Sequence, residues 1–128
     1  MTSSGPFIAV VDDESAVRSM LGRLLRLADF QVSAFSSGAA FLASLNEHKP
    51  ACAIVDINMP ELSGLDVQSR MRAAHIRIPV VLMTASEDQE FEQSAAAVGA
   101  VSLLRKPFSS DELIKAIGIA LESHETRR

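Results

Sequence analysis

Five side chains stand where apolar runs break off: Asp12 and Asp13, Asp56, Thr84 and Lys106. Three carboxylates brought together repel one another, so some pKa must rise unless a cation intervenes. Hard oxygen ligands with room for water suit Mg²⁺ or Mn²⁺. A divalent ion beside a carboxylate, a hydroxyl and an ammonium makes a cradle for a phosphoryl group, because each neutralises charge on the transferred oxygens. Asp56 is the natural acceptor, as an acyl phosphate. Singly, each residue has a plainer role. Asp12-Asp13 would suit the first turn of a helix, Asp56 a loop cap, Thr84 a turn and Lys106 a solvated position before proline. The chemistry therefore depends on convergence.

Convergence is set by the elements. Phe7–Val11 is an apolar run ending at Asp12-Asp13, and Cys52–Val55 drives into Asp56 and a loop punctuated by Pro60 and Gly64. Pro79–Met83 ends at Thr84-Ala85, and Val101–Leu104 leads to Arg105-Lys106-Pro107-Phe108. Short continuous apolar runs bounded by turn residues read as strands buried on both faces. Gln31–Phe35 alternates instead, the pattern of a half-exposed edge strand.

Helices separate the strands. Val17, Leu21, Leu24 and Ala28 form one helical stripe, and a second helix from about Ser37 turns Phe41, Leu42 and Leu45 inward before His48-Lys49-Pro50. Ser63-Gly64 opens a third, bearing Leu65 and Met71. Ser86-x-x-Gln89 reads as the capping box of a fourth, which Gly99 ends. Ser109-x-x-Glu112 caps a fifth, with Leu113, Ile114, Ile117 and Leu121 on its buried face.

Five strands alternating with five helices predict βαβ units, a parallel sheet and a three-layer α/β sandwich. Parallel strands place all their carboxyl ends on one edge, so the five groups share a rim, where open α/β sheets build their sites.

The bulk properties narrow the class. At 128 residues the chain fits one domain, a core of about residues 7–121 followed by a short polar tail, 122–128. Hydrophobic content of 48% with 22% charged residues is globular. A net charge of -4 argues against a nucleic-acid surface. The lone Cys52, inside an apolar run, reads as a core residue. No window is long and apolar enough for a membrane span and no leader pattern opens the chain, so a cytoplasmic location is expected. His48, His75 and His124 are scattered without metal-ligand spacing and read as solvated or partly packed.

These residues carry a resemblance to the receiver domains of bacterial two-component response regulators, the CheY-like fold. The motifs are Val-Asp-Asp-Glu after the first strand, Asp-Ile-Asn-Met-Pro-x-x-Ser-Gly at the third, Thr-Ala after the fourth and Lys-Pro-Phe after the fifth. The segment Gly-Ala-Val-x-x-Leu-x-Lys-Pro-Phe resembles the FixJ-type branch most. The resemblance implies a flavodoxin-like sheet of order 2-1-3-4-5 and phosphorylation of Asp56 by a sensor histidine kinase. It implies direct Mg²⁺ ligation by Asp13, Asp56 and the backbone carbonyl of Asn58, with Asp12 acting through water. Thr84, Lys106 and the backbone of Asn58 and Ala85 would contact the phosphoryl oxygens, and Lys106-Pro107 would be a cis peptide.

The resemblance further implies a switch controlling dimerisation through the fourth helix, fifth strand and fifth helix, or an effector, with no direct nucleic-acid contact by this domain. Met59 and Pro60 would shape the loop presenting Asn58, and Asn58 and Ser86 would tune the lifetime of the acyl phosphate. One position departs from the pattern. Many receivers carry an aromatic ring three residues before the lysine that swings as the threonine moves, and here the residue is Leu103. The rival reading is an aspartate-nucleophile phosphohydrolase similar to the haloacid dehalogenases. Those enzymes need a second Asp two residues after the nucleophile as general acid/base, and Asn58 cannot shuttle protons.

Overall fold

The computed structural model describes residues 7–85, 89–97 and 99–126. Strands β1 (Phe7–Val11), β2 (Gln31–Phe35), β3 (Cys52–Asp56), β4 (Val80–Thr84) and β5 (Ser102–Arg105) alternate with five helices. The helices are α1 (Ser15–Leu27), α2 (Gly38–Ser44), α3 (Gly64–Ala73), α4 (Gln89–Ala97) and α5 (Ser110–Thr126). All pairings are parallel and the strand order is β2-β1-β3-β4-β5, as expected. β4 and β5 each lie one residue further along than their apolar patterns suggest, and the polar Thr84 and Arg105 at their ends still pair in register with each other.

Alternation along the strands divides the interior in two. Ala9, Val11, Ala53, Val55, Val80 and Leu82 face the side holding Phe41, Val67 and Met71. Ile8, Val10, Cys52, Ile54, Val81 and Met83 face Leu21, Leu25, Leu113 and Ile117. Every residue of β3 and β4 is buried, which explains why these two strands read as unbroken apolar runs. β2, at the sheet edge, shows mixed exposure, with Phe35 packed edge-on against Phe41 at 5.6 Å between ring centroids.

Local signals position the helix starts. Ser63 and Asp66 exchange side-chain and backbone hydrogen bonds at 3.1 Å each, a capping box at the start of α3. Ser109 and Glu112 form another at α5, as their spacing predicts. Ser86 lies outside the described residues. Gly99, at φ +87, follows α4 in the left-handed conformation that glycine adopts without strain.

Two helix assignments need correction. Ile114, expected on the buried face of α5, is 36% exposed, and the small Ala116 and Ala120 pack there instead. On α1, Leu25 is fully buried whereas Ala28 is only partly so. On α5 the buried positions Leu113, Ala116, Ile117 and Ala120 keep regular helical spacing, and Ile114, about 100° round from Leu113, falls off that stripe. Cys52 is buried, and burial pushes its thiol up to about 12, which fits an inert core residue.

Candidate phosphoryl-acceptor site

Register brings the predicted residues together. Val11 pairs with Val55, so Asp12 emerges beside Asp56 at the carboxyl edge. Asp56 pairs with Met83, so Thr84 follows one step beyond. Thr84 pairs with Arg105, and the Lys106 N–H then donates to the Thr84 carbonyl at 2.7 Å. Carboxylate oxygens of Asp12, Asp13 and Asp56 all lie within 4.8 Å of one another. The lysine reaches into the same mouth. Its Nζ is 3.0 Å from Asp12 Oδ2 and 3.5 Å from Asp56 Oδ1.

The members differ in surroundings. Asp12 and Thr84 are fully buried, Asp56 is nearly so, and Asp13 is exposed. Both Asp12 oxygens are engaged: Oδ1 accepts from the Glu14 N–H at 2.9 Å and Oδ2 from Lys106. Asp56 Oδ1 is shut off from solvent with no hydrogen bond among the described residues. Burial pushes the Asp56 pKa up and the Asp12 charge adds to it, while the Lys106 ammonium and the Asn58 N–H pull it down. Lys106 shifts up overall. Burial opposes its charge, but the Asp12 hydrogen bond and the two carboxylate charges outweigh that.

The donor set fits a hard divalent cation: three carboxylates in reach, one carrying a buried oxygen that lacks a hydrogen bond. Asn58 is exposed, and its side-chain Oδ1 accepts from Thr84 Oγ1 at 3.2 Å, so Thr84 is turned toward the β3–α3 loop here. Ala85 follows it at the rim and is exposed. The Lys106–Pro107 peptide bond is cis, as the resemblance implied. Leu103 is partly buried and packs with the Ala95 and Ala100 neighbourhood between α4 and β5.

Met59 is buried in the core and anchors its loop, while Pro60 is exposed. His48 and His75 are exposed and lie in the connections leading into β3 and β4, at the amino ends of those strands rather than at the acidic mouth, and the side chain of His124 lies outside the described ones.

Two supporting residues escape sequence reading. Arg18 Nη1 donates to the Asp12 backbone carbonyl at 2.8 Å, tying α1 to the end of β1. Gly64 begins α3 against the end of β3. A Cβ there would stand 2.6 Å from the Asp56 carbonyl oxygen and 3.0 Å from Ile57 Cα. Backbone cannot yield as a flexible side chain would. Gly64→Ala is therefore expected to cost about 2 kcal/mol of stability in urea unfolding. A loss under half a kcal/mol would show that α3 can slide away freely. The glycine was legible as a helix opener, but its close approach was not.

The fold and the rim together define a doubly wound α/β domain with an acidic mouth closed by one lysine and one threonine. Residues 8–118 match the response regulator receiver domain family, and the chain belongs to it. It is 36% identical over 122 residues to the response regulator protein TodT of Pseudomonas putida, covering 95% of this chain and 54% of TodT. With the transcriptional regulatory protein FixJ of Bradyrhizobium diazoefficiens it shares 37% over 125 residues, covering 98% of this chain and 60% of FixJ. The crystal structure of FixJ-N superposes with a TM-score of 0.87 at 31% identity, covering 93% of this chain and 95% of that one. The chain thus spans little more than half the length of these curated relatives. Among the described residues no helix is long and apolar enough to cross a membrane.

Proposed function

We propose that this receiver domain takes a phosphoryl group from a sensor histidine kinase onto Asp56 and thereby switches a conformational equilibrium. The observation that carries this is the Asp56 oxygen: buried, without a hydrogen bond, with two further carboxylates within 4.8 Å and the Lys106 ammonium at 3.5 Å. An Asp56 carboxylate oxygen attacks phosphorus as the nitrogen–phosphorus bond of the donor histidine breaks.

Asp13, Asp56 and the Asn58 carbonyl are the groups that would hold Mg²⁺ or Mn²⁺ directly. Asp12, with both oxygens engaged, would act through water. The bound ion would neutralise charge on the carboxylates and the phosphoryl oxygens. Lys106 exchanges its Asp12 contact for a phosphoryl oxygen, and Thr84 leaves the Asn58 side chain to donate to another. The N–H groups of Asn58 and Ala85 complete the oxyanion contacts.

With Leu103 in place of a ring, the signal leaves through the Thr84 loop, α4 and β5 without an aromatic rotamer change. The output is dimerisation through the α4–β5–α5 face or control of an effector, in the cytoplasm, with no nucleic-acid contact by this domain. The phosphohydrolase reading gains no support: Asn58 offers no general acid, and the family match is to receivers.

The deciding experiment is incubation with Mg²⁺ and acetyl phosphate, read by intact mass. One base-labile phosphoryl increment, lost in EDTA, is expected. Steady release of many phosphates per chain would favour the phosphohydrolase, and an unchanged mass would leave only an inert interaction module.

A further inference from the structure

The amino edge of the sheet, opposite the Asp56 mouth, carries a second charged feature. A half-enclosed hollow of about 260 Å³ lies between the end of α3, the approach to β4 and the turn after α4. Its wall holds three basic side chains, Arg72, His75 and Arg77, with the buried Gln68 amide and Ile78 beneath them. Among the described residues no Asp or Glu lines it, on a chain whose net charge is -4. Such a concentration runs against the charge of the molecule.

The hollow is also partly built. Arg72 Nη1 donates to the carbonyl of Ala97, the last residue of α4, at 2.8 Å, so its guanidinium is fixed in place with donors to spare. Gly99, at φ +87, leaves the wall open. A Cβ there would meet Arg72 Nη1 at 3.6 Å and Gln68 Nε2 at 3.7 Å. His75 sits at φ +60, just past α3, where the chain turns toward Arg77.

We propose that this hollow binds a small phosphate-type dianion between Arg72 and Arg77, with His75 at its rim. Guanidinium groups grip phosphate oxygens through paired, charge-assisted hydrogen bonds. Because Arg72 holds the α4 terminus, the occupant bears on α4. The anion's charge adds to the hold on Arg72, and Arg72 in turn holds the Ala97 carbonyl. The site is independent of Asp56 and of the metal-binding mouth, so it stands whether or not the phosphoryl-acceptor reading does.

The test is titration of the metal-free chain, in EDTA and at constant ionic strength, with sodium pyrophosphate or inorganic phosphate, followed by backbone amide NMR. Saturable shifts at Arg77 and Gly99 are expected, with a Kd on the order of a millimolar. Arg77→Ala should weaken binding roughly tenfold. Lys115→Ala, which removes the same charge from α5 outside the hollow, should leave it unchanged. Amide exchange at Gly99 and Ala100, whose N–H groups bond to Ala96 and Ala95, should slow on anion binding. Linear, unsaturable shifts, or equal losses in both variants, would show general charge screening and overturn the site. Saturation without slower exchange would overturn the grip on α4.

Discussion

Asp56→Asn is expected to abolish phosphoryl acceptance and, in the same molecule, to raise the melting temperature of the metal-free domain at neutral pH. On the proposed reading the first effect is the loss of the accepting oxygen. The second follows from burial. Asp56 is 3% exposed, its Oδ1 has no hydrogen bond among the described residues, and its pKa is raised in the folded state by burial and then by Asp12. A carboxyl whose folded pKa lies above its unfolded one favours the fold only when protonated. The penalty is absent below the unfolded value, grows as pH rises through the folded one, and is full above it.

Asparagine is neutral at every pH and escapes that penalty. In EDTA at pH 7.5 the variant should melt about 4 °C higher, the scale that ~1 kcal/mol carries in a domain of this size. The difference should shrink as pH falls toward 4. A variant that melts lower at pH 7.5 would mean the Lys106 ion pair outweighs burial.

Lys106→Met carries the opposite sign. The ammonium stands 3.0 Å from Asp12 and 3.5 Å from Asp56, and both carboxylates are buried. Without it two acids face each other with no cation between them. Breaking a buried pair from one side costs on the order of 3 kcal/mol. The folded-state pKa of Lys106 is raised, so in the wild type this stabilisation is present below the unfolded pKa and is lost only as alkaline pH climbs through the raised value.

Urea unfolding of the variant at neutral pH in EDTA should show that loss. Millimolar Mg²⁺ should return part of it, because a cation bound only to the folded state restores the missing charge. Lowering the pH should return part as well, by protonating one carboxyl. A variant as stable as wild type in EDTA would show that water already screens the pair. Phosphoryl acceptance should fall steeply even in Mg²⁺, since no other described residue at the mouth supplies an ammonium.

Much of this was legible in the chain because the physics is local or periodic. Cys52–Val55 and Val80–Met83 read as buried strands since a parallel sheet covered on both faces admits only apolar residues there. The Ser109–Glu112 capping box follows from spacing alone. So does the placing of Asp12, Asp56, Thr84 and Lys106 on one rim, once strand direction is known. Ile114 stands off the buried stripe because α5 faces the sheet along Leu113, Ala116, Ile117 and Ala120, and the two small alanines on that stripe are easily passed over for a larger isoleucine beside it.

Sequence by itself therefore determined which residues meet at the carboxyl edge, because side-chain period is local and the strand–helix alternation dictates parallel strands whose carboxyl ends share one edge. Tertiary structure alone decided how they meet. It gave Lys106 to Asp12 more closely than to Asp56, turned Thr84 toward Asn58, set Arg18 on the Asp12 carbonyl, and seated Gly64 against the end of β3. It also gathered Arg72, His75 and Arg77 with Gly99 at the far edge. Those distances arise when separate segments are packed to close density, and no spacing within one segment records them.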